Sequence, residues 1–238
     1  MTTVITDTPT AERATEHGAA VVAAYFGALL PRLAEHAAAM AATLAGHDRS
    51  TLTASRIDDL IAPHAHDLLD HPEEPVYGAG FIAAMDLVSD APSHLAWWQG
   101  ADRRKLVFPA QSVKQAIDYR ELEWFRVPSA TGRPHVAGPY VDYLCSDEYT
   151  MTAAAPVVVD GRFAGVAGLD VLVDTVERRL TPPLRALGVP LILVNGVGRV
   201  LVSTDPAYAA GDVLRPGQVR IAAQRRCASV DLDVIVAD

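Results

Sequence analysis

The chain has 238 residues, a formal net charge of −9 and an isoelectric point near 5.3. Half of the residues are hydrophobic and the mean hydropathy is +0.16, which predicts a globular protein with a buried core. A protein that binds nucleic acid needs a basic surface to face the phosphates, so the acidic balance excludes nucleic acid as a partner.

The cysteines and the N-terminus carry no signal for metal binding, secretion or membrane insertion. Cys145 and Cys227 are far apart and lack metal-ligand spacing, so both are interpreted as ordinary part-buried thiols. Residues 1–18 lack the basic and then apolar layout of a signal peptide. The most apolar stretch, residues 18–30, is shorter than the ~20 residues that cross a bilayer. The sequence therefore predicts a soluble, cytoplasmic protein with no membrane partner.

Residues 1–72 are predicted to be a helical segment. A long alanine-rich helix over about residues 10–46 is kinked or split at Pro31. Its apolar face consists of Val22, Phe26, Leu29, Leu33, Met40 and Leu44. A second helix over residues 53–69 is interrupted by Pro63, and its apolar face consists of Ile57, Leu60, Ile61 and Leu68. Such a long apolar face needs a sheet or a second copy to cover it, so we predict a homodimer through the first helix, which would also pass a signal to an unknown effector protein.

Residues 73–190 change to strand and turn patterns and are predicted to form a ligand-binding domain. Shorter strands are expected over residues 76–85, 94–99 and 105–108, a helix over 112–127 that ends near Pro128, and a loop over 132–138. Two long strands over 149–159 and 162–172 are joined by Asp160-Gly161, the favoured dipeptide of a type I′ hairpin turn. A helix over 174–187 follows, kinked or restarted at Pro182-Pro183.

Residues 191–238 are predicted to be strands over 191–194, 199–203, 219–223 and 230–236, with a hairpin turn at residues 195–198. These strands either complete the domain or begin a truncated second module. The order of elements predicts the α+β class: a central antiparallel sheet with a long N-terminal helix, and helices and loops covering the ligand face.

Aromatic and acidic residues between positions 118 and 170 follow an order that suits a pocket for a small cation. A cation held between ring faces and a carboxylate gains cation–π attraction and a charge-assisted hydrogen bond. The candidate ligand-binding residues are Trp124, Phe125, Tyr140, Asp142, Asp170, Asp118 and Tyr119. No catalytic residue, metal ligand or cofactor site is predicted.

Two of these assignments have alternatives. Asp170 closes a run of small and apolar residues, so its buried carboxyl needs a partner, either a ligand ammonium or the backbone amides at the start of the next helix. Trp97 and Trp98 are neighbours on a strand and point to opposite faces, so only one of them can join a pocket. Both are interpreted as core or surface aromatics.

A denser group of acids and histidines lies near the end of the second helix: His64, His66, Asp67, Asp70 and His71. Helical spacing would let Asp67 and His71 bind a metal together. The group lacks an HExxH-type pattern and lies on an evident solvent face, so no metal site is predicted.

The order of elements and the residues between Trp124 and Asp170 resemble a Cache domain, the PAS-like ligand-sensing module found outside the membrane in bacterial receptors. The likeness extends over about residues 75–205. The matching segments are Trp124-Phe125, Gly138-Pro139-Tyr140-Val141-Asp142, Thr152-Ala153-Ala154-Ala155-Pro156-Val157, the Asp160-Gly161 turn and Gly165-Val166-Ala167-Gly168-Leu169-Asp170. Residues 195–203 resemble the strand-turn-strand that follows in double-Cache (PDC) sensors.

The resemblance implies roles for individual residues. In the amino-acid-sensing branch of the family, an Arg-x-Trp-Tyr element anchors the ligand carboxylate, and a later Tyr and an Asp hold its ammonium. Trp124, Phe125, Tyr140 and Asp170 stand at the Trp, second aromatic, Tyr and Asp positions. Leu122 stands at the arginine position, which removes the fork that grips a carboxylate.

The leading hypothesis is therefore a noncatalytic sensor for a small amine, a quaternary ammonium or an amino acid. A second hypothesis is a Cache-like binder of a small carboxylate, anchored by Arg126 or Arg120. An enzyme is a third, although the sequence has no nucleophile elbow, phosphate loop or dinucleotide fingerprint. A dimeric scaffold with a vestigial pocket is the fourth.

Overall fold

The computed structural model describes residues 7–71, 75–107, 118–143, 147–215, 217, 219–228 and 230–237. The α-helices of this part of the chain are α1 (Thr8–Ala45), α2 (Ala54–Leu69), α3 (Glu123–Thr131) and α4 (Val173–Arg185). The first six strands are β1 (Gly78–Ala83), β2 (Leu95–Gln99), β3 (Arg104–Lys105), β4 (His135–Val141), β5 (Tyr149–Val159) and β6 (Arg162–Leu172). The remaining strands are β7 (Ile192–Asn195), β8 (Val200–Ser203), β9 (Ile221–Arg226) and β10 (Leu232–Ala237).

The strands form two sheets, and the α+β class is confirmed. The six-stranded sheet has the order β3-β2-β1-β6-β5-β4, and the four-stranded sheet has the order β8-β7-β10-β9. The pairs β1–β2, β1–β6, β5–β6, β7–β8, β7–β10 and β9–β10 are all antiparallel.

The chain divides into two compact units. One comprises residues up to Ala28, the short segment Gly138–Val141 and Val173–Asp238. The other comprises Leu29–Ala137 and Asp142–Leu172, and it contains the predicted site residues except Tyr140. The boundaries predicted from the sequence at residues 72 and 190 stay a prediction.

The long hairpin has the predicted bounds and turn. Strands β5 and β6 are eleven residues each and are joined at Asp160-Gly161. Asp160 and Gly161 both have positive φ, 51° and 73°, as a type I′ turn requires.

Helices run through all of the prolines that the sequence suggested as breaks. Pro31 lies inside α1, Pro63 inside α2 and Pro128 inside α3, and α4 contains both Pro182 and Pro183. A proline removes one intrahelical hydrogen bond, and burial of the apolar face on both sides of it offsets that cost. The expected end of a helix near Pro128 is therefore wrong, since α3 continues to Thr131.

The apolar face of α1 is covered within a single chain. Its predicted residues Val22, Phe26, Leu29, Leu33, Met40 and Leu44 are all buried. Over its second half α1 runs along α2, where Arg32 donates to the carbonyl oxygen of Asp67 at 2.8 Å and Thr43 hydrogen-bonds His64 at 3.0 Å. Because the chain itself covers this face, the structure gives no support to a dimer built on it.

The loop predicted over residues 132–138 is confirmed for residues 132–134 and is wrong from His135 on, where β4 begins. Glycine and proline suggested a turn there, but β4 is an edge strand of the six-stranded sheet. An edge strand tolerates Pro139 because a proline lacks only the amide hydrogen that the edge can leave unpaired. The helix predicted over 112–127 begins at Glu123, after a short 3-10 turn at Tyr119–Glu121, while residues 112–117 lie outside the described part of the chain.

Helix α2 covers one face of the six-stranded sheet. It packs against β1 and β2, and the ring of His66 meets Trp98 edge-on at 5.8 Å. On the same face, Asp58 of α2 hydrogen-bonds the His94 ring at 2.8 Å and pairs with Lys105 of β3. Charged groups therefore fasten this helix to the sheet edge.

Helix α1 also corrects the premise behind the cytoplasmic assignment. It has 38 residues, and its most apolar 18-residue window reaches a mean hydropathy of 1.2, with 33% of that window buried. By length and composition alone such a helix can cross a membrane, and the core helix of a soluble protein or a signal sequence has the same properties. The expectation of no apolar stretch of sufficient length is wrong.

Cys227 is a buried free thiol, and burial raises its pKa to about 11. A thiol with so high a pKa is unreactive near neutral pH. Cys145 lies outside the described residues.

A prediction concerns the close approach of β1 and β2. A β-carbon at Gly80 would lie 2.0 Å from the carbonyl oxygen of Ala96, so Gly80→Ala must push the strands apart and should destabilise the protein by about 1–3 kcal/mol or more. The control is Gly27→Ala in α1, where a β-carbon meets no heavy atom within 4 Å and alanine should add about 0.5–1 kcal/mol. Urea unfolding of the two variants measures the difference. Equal stability of both would contradict the close strand packing.

Candidate functional site

The register of the strands places one row of residues on the face of the six-stranded sheet opposite α2. Gly78 of β1 stands opposite Gln99 of β2 on one side and Asp170 of β6 on the other. Asp170 in turn stands opposite Thr152 of β5. Directly opposed residues of antiparallel strands project from the same face, so Asp170 and Thr152 share it.

The next row of opposed residues on this face has one large side chain, the indole of Trp97, and otherwise glycine and alanine. Trp97 stands opposite Gly80, Gly80 opposite Gly168, and Gly168 opposite Ala154. A β-carbon at Gly78 would lie 2.7 Å from Nε1 of Trp97, and one at Gly168 would lie 3.1 Å from its Cζ3. The indole therefore lies across β1 and β6, directly on the backbone of the glycines and beside Asp170.

Asp170 has a buried carboxyl group with a strongly raised pKa. Its side chain is buried, with the residue 4% exposed, and one oxygen, Oδ1, accepts a hydrogen bond from Oγ1 of Thr152 at 2.6 Å. Burial raises the pKa of Asp170 to about 8, and the negative charge of Asp142 adds to the rise against the opposing hydrogen bond from Thr152. Among the described residues no cationic side chain contributes to its environment. A carboxyl in this setting carries its proton near neutral pH.

Further acidic groups lie near Asp170 and Tyr77. Asp142 is buried just after β4, and its amide donates to the carbonyl oxygen of Glu148 at 2.9 Å. Burial raises the pKa of the Tyr77 phenol, and Glu148, Asp142 and Asp170 raise it further. The site is thus a region of concentrated negative potential, which favours a cation.

The capping alternative for Asp170 does not hold. Helix α4 begins at Val173, and the hydrogen bond of the Asp170 carboxyl comes from Thr152 rather than from the amides of that helix.

Aromatic rings lie along α3, a helix that packs against the same sheet. Helix α3 packs against β5 and β6, and its Trp124 and Phe125 are buried. The rings form a continuous series, with Tyr119–Trp124 centroids 6.1 Å apart, Trp124–Phe125 6.3 Å apart and Phe125–Phe163 5.5 Å apart. Glu123 accepts from the His135 ring at 2.7 Å, which ties the start of α3 to β4.

Asp118 is placed differently from the other predicted residues. It is exposed and binds the Arg120 guanidinium through both oxygens, at 2.8 and 2.6 Å. The same carboxylate accepts from the backbone amide of Arg120 and caps the 3-10 turn. Its first role is therefore to hold the turn that carries Tyr119, and Arg120 is occupied by this pair.

Tyr140 and Arg126 complete the predicted set. Tyr140 is half-buried on β4, and Asp142 two residues later is buried while Val141 between them is exposed, as alternation along a strand predicts. Arg126 is exposed on α3.

No group of three or more potential metal ligands occurs among the described residues. The histidines of the candidate cluster have other contacts: His64 bonds Thr43, His66 packs on Trp98, and Asp67 pairs with His36 at 3.2 Å.

Trp97 lies on the same face of the sheet as Asp170, whereas the sequence analysis interpreted both neighbouring tryptophans as packing residues. A usable signal existed in the glycine spacing. Gly78 and Gly80 lie two apart on one strand, and Gly168 lies two before Asp170 on another. Glycines at a spacing of two leave one face of a sheet bare, and a large neighbouring ring can lie on it.

Comparisons with known proteins identify related sequences and folds. Residues 102–178 match the family model of the methyl-accepting chemotaxis protein-like, first PDC sensor domain. The methyl-accepting chemotaxis protein TlpQ of Pseudomonas aeruginosa is 30% identical over 90 residues, which is 37% of this chain and 12% of the relative's length. The chain thus spans a small part of that relative.

Two solved structures share the fold. The sensory domain of the Campylobacter jejuni chemoreceptor Tlp3, solved with isoleucine bound, superposes with a TM-score of 0.60 at 11% identity, covering 95% of this chain and 89% of that one. The ligand-binding domain of the Pseudomonas fluorescens chemoreceptor CtaA, in complex with L-valine, has a TM-score of 0.56 at 13% identity, covering 97% and 96%.

The resemblance to Cache domains is therefore confirmed: residues 102–178 match the model of a PDC sensor domain, and the chain has the fold of chemoreceptor ligand-binding domains.

Proposed function

We propose that this domain is a noncatalytic sensor that binds a small amine, with the ligand ammonium against the carboxylate of Asp170. The observation that carries the proposal is the buried Asp170 carboxyl, which lies beside Asp142 and has no cationic partner among the described residues. An ionised carboxylate in such a place is costly unless a positive charge joins it.

The hydrogen bonding of Asp170 leaves room for that charge. Thr152 occupies Oδ1, whereas Oδ2 accepts no hydrogen bond from a described residue. An ammonium at Oδ2 would form a charge-assisted hydrogen bond in a water-poor environment. The indole of Trp97 beside it, and the buried ring of Trp124 on α3, offer ring faces for cation–π attraction.

The described part of the site has few cationic groups that could bind the carboxylate of an amino acid. Leu122, at the position where the family's amino-acid sensors have arginine, is half-buried before α3. Arg120 is held by Asp118, and Arg126 is exposed. Tlp3 and CtaA were solved with isoleucine and L-valine, whose ammonium groups are the part that this site suits. An amine without a carboxylate, including a quaternary ammonium, therefore fits better than an amino acid, and a carboxylate anchored by either arginine fits worst.

Signal transmission, a homodimer and an effector partner stay predictions for the whole protein. The cytoplasmic location finds no support, since sensor domains of this kind are typically extracellular or periplasmic.

The first prediction here concerns stability of the ligand-free protein. The pKa of Asp170 is about 8 when folded and near 3.8 when unfolded, so its contribution to stability is fully present below about pH 4 and is lost as the pH rises through 8. We expect the melting temperature of the wild type to fall relative to that of Asp170→Asn between pH 5 and 8. Melting curves of both proteins at each pH measure this.

The matched control is Asp174→Asn, which removes an exposed carboxylate paired with Arg178 and should change stability little. A melting-temperature difference between the wild type and Asp170→Asn that stays constant from pH 5 to 8 would contradict the assigned titration.

The second prediction concerns binding. Calorimetry with propylamine and with propionate, an acid of similar size, should show binding of the amine alone, and Asp170→Asn should abolish it. Since the proton of Asp170 must leave when the ammonium arrives, amine affinity should rise on the order of 50-fold from pH 6 to pH 8.

Proton release gives an independent check. Titrations at pH 6.5 in two buffers of different ionisation enthalpy should reveal about one proton released per amine bound. Binding of propionate but not of propylamine would sink the proposal and return the anchor to an arginine.

A further inference from the structure

Two polar side-chain atoms on the Asp170 face are buried without a hydrogen-bond partner among the described residues. They are the indole Nε1 of Trp97 and Oγ1 of Thr150, in residues that are 3% and 0% exposed. Thr150 lies two residues before Thr152 on β5 and so projects from the same face. Buried polar atoms in native proteins almost always have a partner, so each of these needs an explanation.

The indole Nε1 of Trp97 lies within reach of a small molecule bound to Asp170. Nε1 of Trp97 is 2.7 Å from the position of a β-carbon on Gly78, and Gly78 stands directly opposite Asp170. β-Carbons of opposed residues in antiparallel strands are about 4.5–5.5 Å apart. A ligand whose polar groups are two to four bonds apart can therefore contact the Asp170 carboxylate and the indole N–H together.

The chemistry of each atom restricts what the ligand carries. An indole N–H is a donor only, so its partner must be an acceptor, whereas the hydroxyl of Thr150 serves either way. A negatively charged acceptor beside the indole would be repelled by the Asp170 carboxylate, once it is ionised, and by Asp142. No cationic side chain of the described chain contributes at Asp170 to offset that repulsion. The acceptor is therefore neutral.

We propose that the ligand is an amine that also bears a neutral hydrogen-bond acceptor, such as an amino alcohol or an amino amide, and that the indole N–H of Trp97 binds this acceptor. The inference rests on the proposed amine function and narrows its ligand class. Trp97 is then a specificity-determining residue, held in place because glycines at positions 78, 80 and 168 leave the sheet bare beneath its ring.

The test uses two pairs of amines of matched length: ethanolamine with propylamine, and 3-amino-1-propanol with butylamine. Each pair exchanges one hydroxyl for a methyl group. In calorimetry at pH 8 the wild type should bind the amino alcohol of at least one pair about tenfold more tightly, the effect of one hydrogen bond to an otherwise unpaired buried donor.

Trp97→Phe keeps an aromatic ring and removes the N–H. We expect this variant to bind both members of each pair with equal affinity, close to that of the wild type for the alkylamine. The matched control is Trp98→Phe, one residue along β2 but on the face that packs against His66, and it should keep the preference. Equal binding of both members by the wild type, or a preference that survives in Trp97→Phe, would overturn this inference alone.

A spectroscopic measurement keeps the test valid if Trp97→Phe folds poorly. The protein has three tryptophans, so indole-¹⁵N labelling gives three N–H resonances, which Trp98→Phe and Trp124→Phe assign. The Trp97 proton should move downfield with saturating ethanolamine and much less with propylamine, while that of Trp98 stays in place. An unmoved Trp97 resonance under saturating amino alcohols overturns the inference. Absence of binding by all four amines overturns the proposed function and this inference together.

Discussion

The register of β1, β6 and β5 is the constraint on which the candidate site depends. It sets Gly78, Asp170 and Thr152 in one row and Gly80, Gly168 and Ala154 in the next. A slip of one residue would turn Asp170 toward the face that α2 covers and would turn its apolar neighbours toward the ligand face. The glycine rows also give the Trp97 ring its place, because any side chain at position 78 would meet the indole.

The electrostatic free energy of this site depends mainly on the carboxyl group of Asp170. Buried beside Asp142, Asp170 retains its proton near neutral pH, so the empty site avoids an isolated negative charge. In the proposed complex a ligand ammonium would reverse this balance, because it would supply the charge that makes the ionised form favourable. The ligand-free protein is thus less stable at higher pH than it would be with a neutral side chain at position 170, a common cost of a preorganised site.

The family relationship covers only part of this arrangement. The matched segment, residues 102–178, contains α3 with its rings, β4, and the β5–β6 hairpin that ends in Asp170. Strands β1 and β2, with their glycines and Trp97, precede it. Asp170 and the aromatic helix therefore lie inside the matched segment, whereas Gly78, Gly80 and Trp97 lie in residues that the family match does not reach. Selectivity among amines would then depend on these residues.

Local signals in the sequence determined a large part of the fold. The type I′ turn at Asp160-Gly161 gave both strands of the long hairpin, and helical spacing gave the buried faces of α1 and α2, because turn chemistry and periodicity act over a few residues. The same reasoning failed at the helix prolines and at β4, where burial and an edge position outweighed local preference.

For the candidate site too, some features follow from the sequence and others only from the tertiary structure. The sequence could nominate its aromatic and acidic residues, because the proposed cation pocket requires those chemical types, and their role stays a prediction. Only the tertiary structure decided that Asp170 bonds Thr152 rather than a helix start, that Asp118 pairs with Arg120, and that Trp97 lies on the ligand face. The placements of Asp170 and Trp97 depend on the pairing of strands far apart in sequence, and the preference of Asp118 for Arg120 depends on which side chains are exposed.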